Sequence, residues 1–188
     1  MSVLGARADH PIDFRPPPAD AEVSRAEAAT AKWPQQLVDF YALHDGQSDD
    51  SHDFTGELLP NSSLFSVARV VSDYRMMMDV NEITKANDSE LPFINAREAG
   101  SPAGLFLQSY IPFCGGDGSY YYCDTRPGRH HGCIRHWGRD YCDGSGPVWA
   151  SIEQMLASIR TCVVDNQPID RIWMPQFEDG KLTWEPGD

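Results

Sequence analysis

Four cysteines, Cys114, Cys123, Cys133 and Cys142, and three histidines, His130, His131 and His136, fall in one stretch of the chain. Together these residue types can bind zinc or build a thiolate–imidazole nucleophile. The spacing argues against zinc, because structural sites pair their ligands two to four residues apart on a tight knuckle. Here eight, nine and eight residues intervene between successive cysteines, with no Cys-x-x-Cys pair. The close pairs are His131-Gly132-Cys133 and Cys133-Ile134-Arg135-His136, and on an extended strand Cys133 and His136 point to opposite faces. A Cys/His nucleophile would need Asp124 as its orienting acid, and no local signature marks one. Buried thiols among aromatic strands are the simpler reading. Gly115-Gly116-Asp117-Gly118 lacks the lysine and the following helix of a phosphate-binding loop, and reads as a turn. With 28 acidic residues, carboxylate neighbours arise by chance. No catalytic residue, metal or cofactor is therefore expected.

Charge placement carries more. From Trp33 to Ala68 there is no lysine or arginine, while Asp39, Asp45, Asp49, Asp50, Asp53 and Glu57 accumulate. Loops of one sign steer partners of the other. Arg126, Arg129, Arg135 and Arg139, with the three histidines, form a local basic island suited to a phosphate or to pairing with the acidic loops. The net charge of -13 favours the latter. The same charge disfavours nucleic acid and anionic membranes as partners and points to a basic protein.

The elements that must position these groups are locally legible. Tyr110–Phe113 and Tyr120–Cys123 flank the Gly-Gly-Asp-Gly turn as two strands of a hairpin, with a third strand at Gly132 to Trp137. Ser151 to Val163 predicts a helix opening on a capping box, Ser151 and Gln154, with Ile152, Met155, Leu156, Ile159 and Val163 facing the sheet. Earlier, Ala21 to Ala31 predicts one short helix, and Trp33-Pro34 starts another. Its stripe of Leu37, Phe40, Tyr41 and His44 is followed by Gly46 as a left-handed cap. His44 reads as a packed or capping side chain. Gly56-Glu57-Leu58-Leu59 suits an edge strand, and a third helix follows Ser66 through Val67, Val70, Val71, Tyr74, Met77 and Met78. Leu91–Ile94 and Leu105–Leu107 suggest short strands in an irregular region. The tail alternates around Glu178-Asp179-Gly180-Lys181, a hairpin signal.

At 188 residues, with 41% hydrophobic and 11% aromatic residues, the chain can bury one core. Five cysteines without an export signal suggest reduced thiols, and no run of apolar residues is long enough for a membrane span, so a cytoplasmic protein is expected. The proline-rich residues 1–20 read as a poorly ordered lead-in and 164–188 as a hairpin extension beyond a main body at 21–163.

The block Trp33-Pro34-Gln35-Gln36-Leu37-Val38-Asp39-Phe40-Tyr41-Ala42-Leu43-His44-Asp45-Gly46-Gln47 resembles the opening signature of the SUKH superfamily. That group includes the fungal cell-wall-assembly regulator and many bacterial immunity proteins. Glu57-Leu58-Leu59-Pro60, Tyr110-Ile111-Pro112-Phe113 with Asp117-Gly118, the Gly132 to Trp137 strand and the helix from Ser151 follow in the family's order. Ser119-Tyr120, the long stretch Asn81 to Gly104 and the tail hairpin depart from it. The resemblance implies an α+β fold, a central antiparallel sheet packed by helices, and protein binding without catalysis. In bacterial members the commonest role is neutralising a toxin. The expected function is an immunity protein that occludes a cognate toxin. Its contacts would come from acidic loops and exposed aromatics: Asp45, Asp49, Asp50, Asp53, Glu57, Asp117 and Tyr120. About 800 Å² per partner would suffice. A regulatory scaffold of the cell-wall-regulator type is the alternative, and a cysteine- or zinc-dependent hydrolase the third.

Overall fold

A computed structural model describes residues 11–48, 55–84, 91–116, 118–138 and 142–187. Helices α1 (Asp20–Ala29) and α2 (Gln35–Tyr41) precede a short strand β1 (Ser63–Leu64) and the long helix α3 (Val67–Thr84). A one-turn helix α4 (Leu91–Asn95) leads to strands β2 (Tyr110–Gly116), β3 (Ser119–Asp124) and β4 (Cys133–Gly138). Helix α5 (Ile152–Asp165) and a hairpin of β5 (Trp173–Glu178) and β6 (Lys181–Pro186) complete the chain. The first four strands form one antiparallel sheet in sequence order, and β5–β6 a separate two-stranded one. This is the α+β, single-body architecture that the sequence predicts.

The β2–β3 register pairs Gly116 with Ser119, so the glycine-rich turn closes as expected. Period-two alternation then splits the sheet into two faces. Tyr110 and Tyr122 stack at 4.2 Å on one face, where Phe106 packs against both rings and against Tyr120 and Trp137. On the other, Phe113 meets Phe40 of α2 at 6.1 Å and Tyr121 meets Trp149 at 5.6 Å. Both outer edges are covered. Gln47, 1% exposed, bonds both backbone groups of Leu64, accepting from its N–H and donating its own N–H to the Leu64 carbonyl. Trp149 bridges Ile134 on β4.

Helix α5 starts at its predicted cap: Ser151 Oγ accepts from the Gln154 N–H at 3.1 Å. The Gln154 side chain reaches one residue further back than a capping box requires, accepting from the Ala150 N–H at 2.6 Å. Its buried stripe is Ile152, Met155, Ile159 and Cys162; Leu156, 36% exposed, turns toward solvent. Gln36 fastens α2 to both neighbours, donating to the Gly132 carbonyl and accepting from the Ile152 N–H.

Several local expectations shift. The edge strand is Ser63–Leu64, not 56–59, because the partner positions on β2 are Gly115 and Cys114. Leu91–Asn95 is helical, and 105–107 is not a strand. Gly46 does cap nothing: α2 ends at Tyr41, and Gly46 (φ +71) lies where any Cβ would sit 2.4 Å from the Phe65 carbonyl carbon. Part of the lead-in is ordered. Ile12 is 6% exposed, and residues 13 and 15 bond the backbone of residues 45, 46, 48 and 55. The tail hairpin is as predicted, with Asp179 (φ 47) and Gly180 (φ 81) making a left-handed two-residue turn. It joins the main core through Leu182 and Trp184.

Candidate functional site

The basic island resolves into a buried lattice, not a surface. Arg126 is 2% exposed and Arg135 is 0%. Arg126 bonds the Asp124 carboxylate at 2.7 and 3.0 Å. Arg135 lies 3.3 Å from Asp143 and 3.6 Å from Asp124, and donates to the carbonyls of Ser101, Asp143 and Ser145. Asp143 in turn accepts from the backbone of Ala103 and Gly104 and from the Tyr110 hydroxyl at 2.9 Å. These charges thus pin the 99–104 loop and the 143–145 loop to the sheet. Their partners are Asp124 and Asp143, which corrects the expected pairing with the acidic segment 45–57. Arg129, His130 and His131 are exposed, and Arg139 lies outside the described residues.

The cysteines show no activation. Burial pushes the thiols of Cys114 and Cys123 far above their usual range and that of Cys133 up to about 12. Among the described residues, no three His, Cys, Asp or Glu side chains converge on a point that could hold a metal.

Open chemistry lies instead at the turn end of the sheet. A cleft of about 580 Å³ is lined by Gly116, Ser119, Tyr121 and His136 of the sheet, by Asn61 and Ser62, by Ser145 and Val148, and by Asp170, Ile172 and Trp173, which lead into the tail hairpin. Gly116 is required here, because a Cβ would stand 2.6 Å from the Asn61 carbonyl oxygen. Asn61 (φ 52), Asp170 (φ 52) and Arg171 (φ 63) all hold left-handed backbone at the rim, conformations that cost non-glycine residues energy.

Ser119 Oγ and His136 Nε2 are hydrogen-bonded at 2.6 Å inside the cleft. The His136 ring rests on Tyr121 at 4.6 Å. Burial lowers the His136 pKa, and the Asp170 carboxylate pulls it partly back, so the imidazole is neutral at pH 7. A neutral imidazole and a serine hydroxyl offer a donor–acceptor pair. Among the described residues of the lining, Asp170 supplies the one carboxylate, and there is no lysine or arginine.

The residues expected to contact a partner are dispersed. Asp45 is half-buried and accepts from the Val67 N–H at 2.7 Å, which caps α3. Glu57 is half-buried, its carboxyl raised by desolvation, and it accepts from the Asn61 N–H at the floor of the cleft. Tyr120 is 7% exposed and packs between Phe65, Phe106 and Trp137, so it is a core side chain and not a surface anchor. Asp49, Asp50, Asp53 and Asp117 lie outside the described residues. Sequence reasoning missed the Ser119–His136 pair and the Asp170–Trp173 wall. Ser119 did stand out, as a departure from the family pattern.

A four-stranded antiparallel meander packed by helices, with buried charges fastening its loops and an open cleft at the turn end of the sheet, defines a single-domain α+β protein. The chain belongs to the SMI1 / KNR4 family (SUKH-1), whose model matches residues 17–158. No curated protein matches the chain closely enough to add a particular relative. The match takes in β1 to β4 and the first half of α5; Asp170, Ile172 and Trp173 lie beyond it. Among the described residues no helix is long and apolar enough to cross a membrane.

Proposed function

We propose that this chain is a cytoplasmic immunity protein, which binds a cognate toxin directly and neutralises it by occlusion, with no catalysis of its own. Membership of the SUKH-1 family over residues 17–158 is the observation that carries this reading. The net charge of -13 supports a basic protein as the partner and weighs against nucleic acid. The test is co-expression with the product of the adjacent open reading frame, followed by affinity capture and a growth assay. Rescue of growth together with a stoichiometric complex is the expected result. A neighbour that is neither toxic nor retained removes the reading and favours the regulatory scaffold.

One observation favours a hydrolytic alternative: the Ser119–His136 pair at 2.6 Å has the composition of a nucleophile and its base. A fluorophosphonate probe separates the two. Labelling of Ser119 that depends on His136 would establish catalysis; the immunity reading expects none.

A further inference from the structure

We infer that the cleft between the sheet and the tail hairpin receives an arginine side chain from the basic protein partner, so that the tail beyond the family match sets which partner is bound. The inference rests on the immunity reading above and names the site and the chemistry that would serve it.

Four observations converge. The cleft holds about 580 Å³, within the range of ligand pockets and ample for one long side chain with its flanking backbone. Among the described residues its lining holds one carboxylate, Asp170, which makes no ion pair with them, and no lysine or arginine. Asn61, Ser62 and Ser145 add side-chain oxygens able to accept hydrogen bonds, beside the Ser119–His136 pair. Trp173, half-exposed on the tail wall, presents an aromatic surface beside that carboxylate.

A lining whose described residues bring an indole and a carboxylate together, with no lysine or arginine among them, suits a donor-rich cation. A guanidinium fits better than an ammonium, because its planar face stacks on an aromatic ring while its edge donates to a carboxylate. Cation over ring already occurs in this protein, where the Arg69 guanidinium carbon sits 4.1 Å above the Phe65 ring. The exposed Arg171 beside Asp170 does not line the cleft.

The placement of the walls assigns their roles. The sheet wall belongs to the segment shared with the family, residues 17–158, whereas Asp170, Ile172 and Trp173 come from outside it. The family scaffold thus supplies one side of the cleft, and the charge and the indole come from this chain's own tail.

The experiment is an NMR titration of the full chain, ¹⁵N-labelled, with the capped peptide acetyl-Gly-Arg-Gly-amide and its citrulline counterpart, which is isosteric and uncharged. The arginine peptide should shift the Trp173 indole and the Ser119 and His136 amides. The citrulline peptide should bind at least tenfold more weakly. Asp170→Asn, which keeps a residue tolerant of left-handed backbone, should cost the arginine peptide a similar factor and leave the rest of the spectrum in place. Equal binding of both peptides, shifts confined to other surfaces, or an Asp170→Asn protein that binds as wild type overturns the inference. A toxin captured equally by wild type and Asp170→Asn overturns the cleft assignment while leaving the immunity reading intact. Arginine-selective binding in the cleft with no toxic neighbour does the reverse.

Discussion

Arg135 and Asp143 face each other at 3.3 Å with neither side chain reaching solvent. The pair joins the middle of β4 to the 143–145 loop, and it fixes the 99–104 loop over the tyrosine face of the sheet. Removing one partner strands the other. Asp143→Ala should therefore cost about 3–5 kcal/mol, the usual penalty for an uncompensated buried charge, and urea denaturation monitored by circular dichroism checks it. Replacing both with apolar residues, Arg135→Met with Asp143→Leu, should recover a substantial part of that loss.

Gly116 and Gly146 make a matched contrast. A methyl at Gly116 meets the Asn61 carbonyl oxygen at 2.6 Å, while one at Gly146 meets nothing within 4 Å. Gly116→Ala should cost about 1–3 kcal/mol as the backbone of the cleft floor is pushed aside. Gly146→Ala should lie within about 0.5 kcal/mol of wild type. Thermal melts of the two proteins side by side give the comparison.

Acidification should weaken the fold through two histidines. Burial lowers the pKa of both His44 and His136 from the ordinary 6.5, with Asp45 and Asp170 respectively opposing. The unfolded chain therefore takes up protons first. Stability is full above 6.5 and falls as pH drops below it, with a slope of at most about 1.4 kcal/mol per pH unit for each group, until the folded values are crossed. Glu57 and Asp73 act with opposite sign, since desolvation raises their carboxyls from 4.5 and 3.8. Urea midpoints should change little between pH 7.5 and 6.5 and fall by pH 5.5. His136→Gln should flatten part of that decline.

Thiol reactivity should be confined to one position. Cys114, Cys123, Cys133 and Cys162 are buried, and Cys142 is half-exposed. Burial also raises the first three well above the thiolate range at neutral pH. Iodoacetamide on the native protein should add a single label, at Cys142, while denaturant opens all five cysteines. Mass spectrometry of tryptic peptides reads the outcome.

What the sequence discloses and what it conceals divides along the range of the interactions involved. The β2–β3 hairpin, the tail hairpin and the cap at Ser151 are each set by residues within a few positions of one another, and each stands where its pattern places it. The edge strand is placed by a partner about 50 positions away, and the 56–59 reading failed on that account. Tyr120 illustrates the same point. Alternation puts Tyr120 and Tyr122 on one face, yet only the packing of Phe106 against them, which no local pattern announces, decides that the face is buried. The arginines were read by their proximity in sequence to histidines, whereas their charges are answered by Asp124 beside them and by Asp143, on a separate loop. The cleft is harder still, since its walls come from five separate segments.

The two stretches outside the family match touch each other. The Leu182 N–H donates to the Pro11 carbonyl at 2.9 Å, and Lys181 pairs with Asp13 at 2.5 Å, while Glu57 holds the hairpin from within the shared body. Leader and tail therefore form a single clasp around an inherited frame. A lineage that exchanged its tail for another would have to rewrite residues 11–13 in the same step.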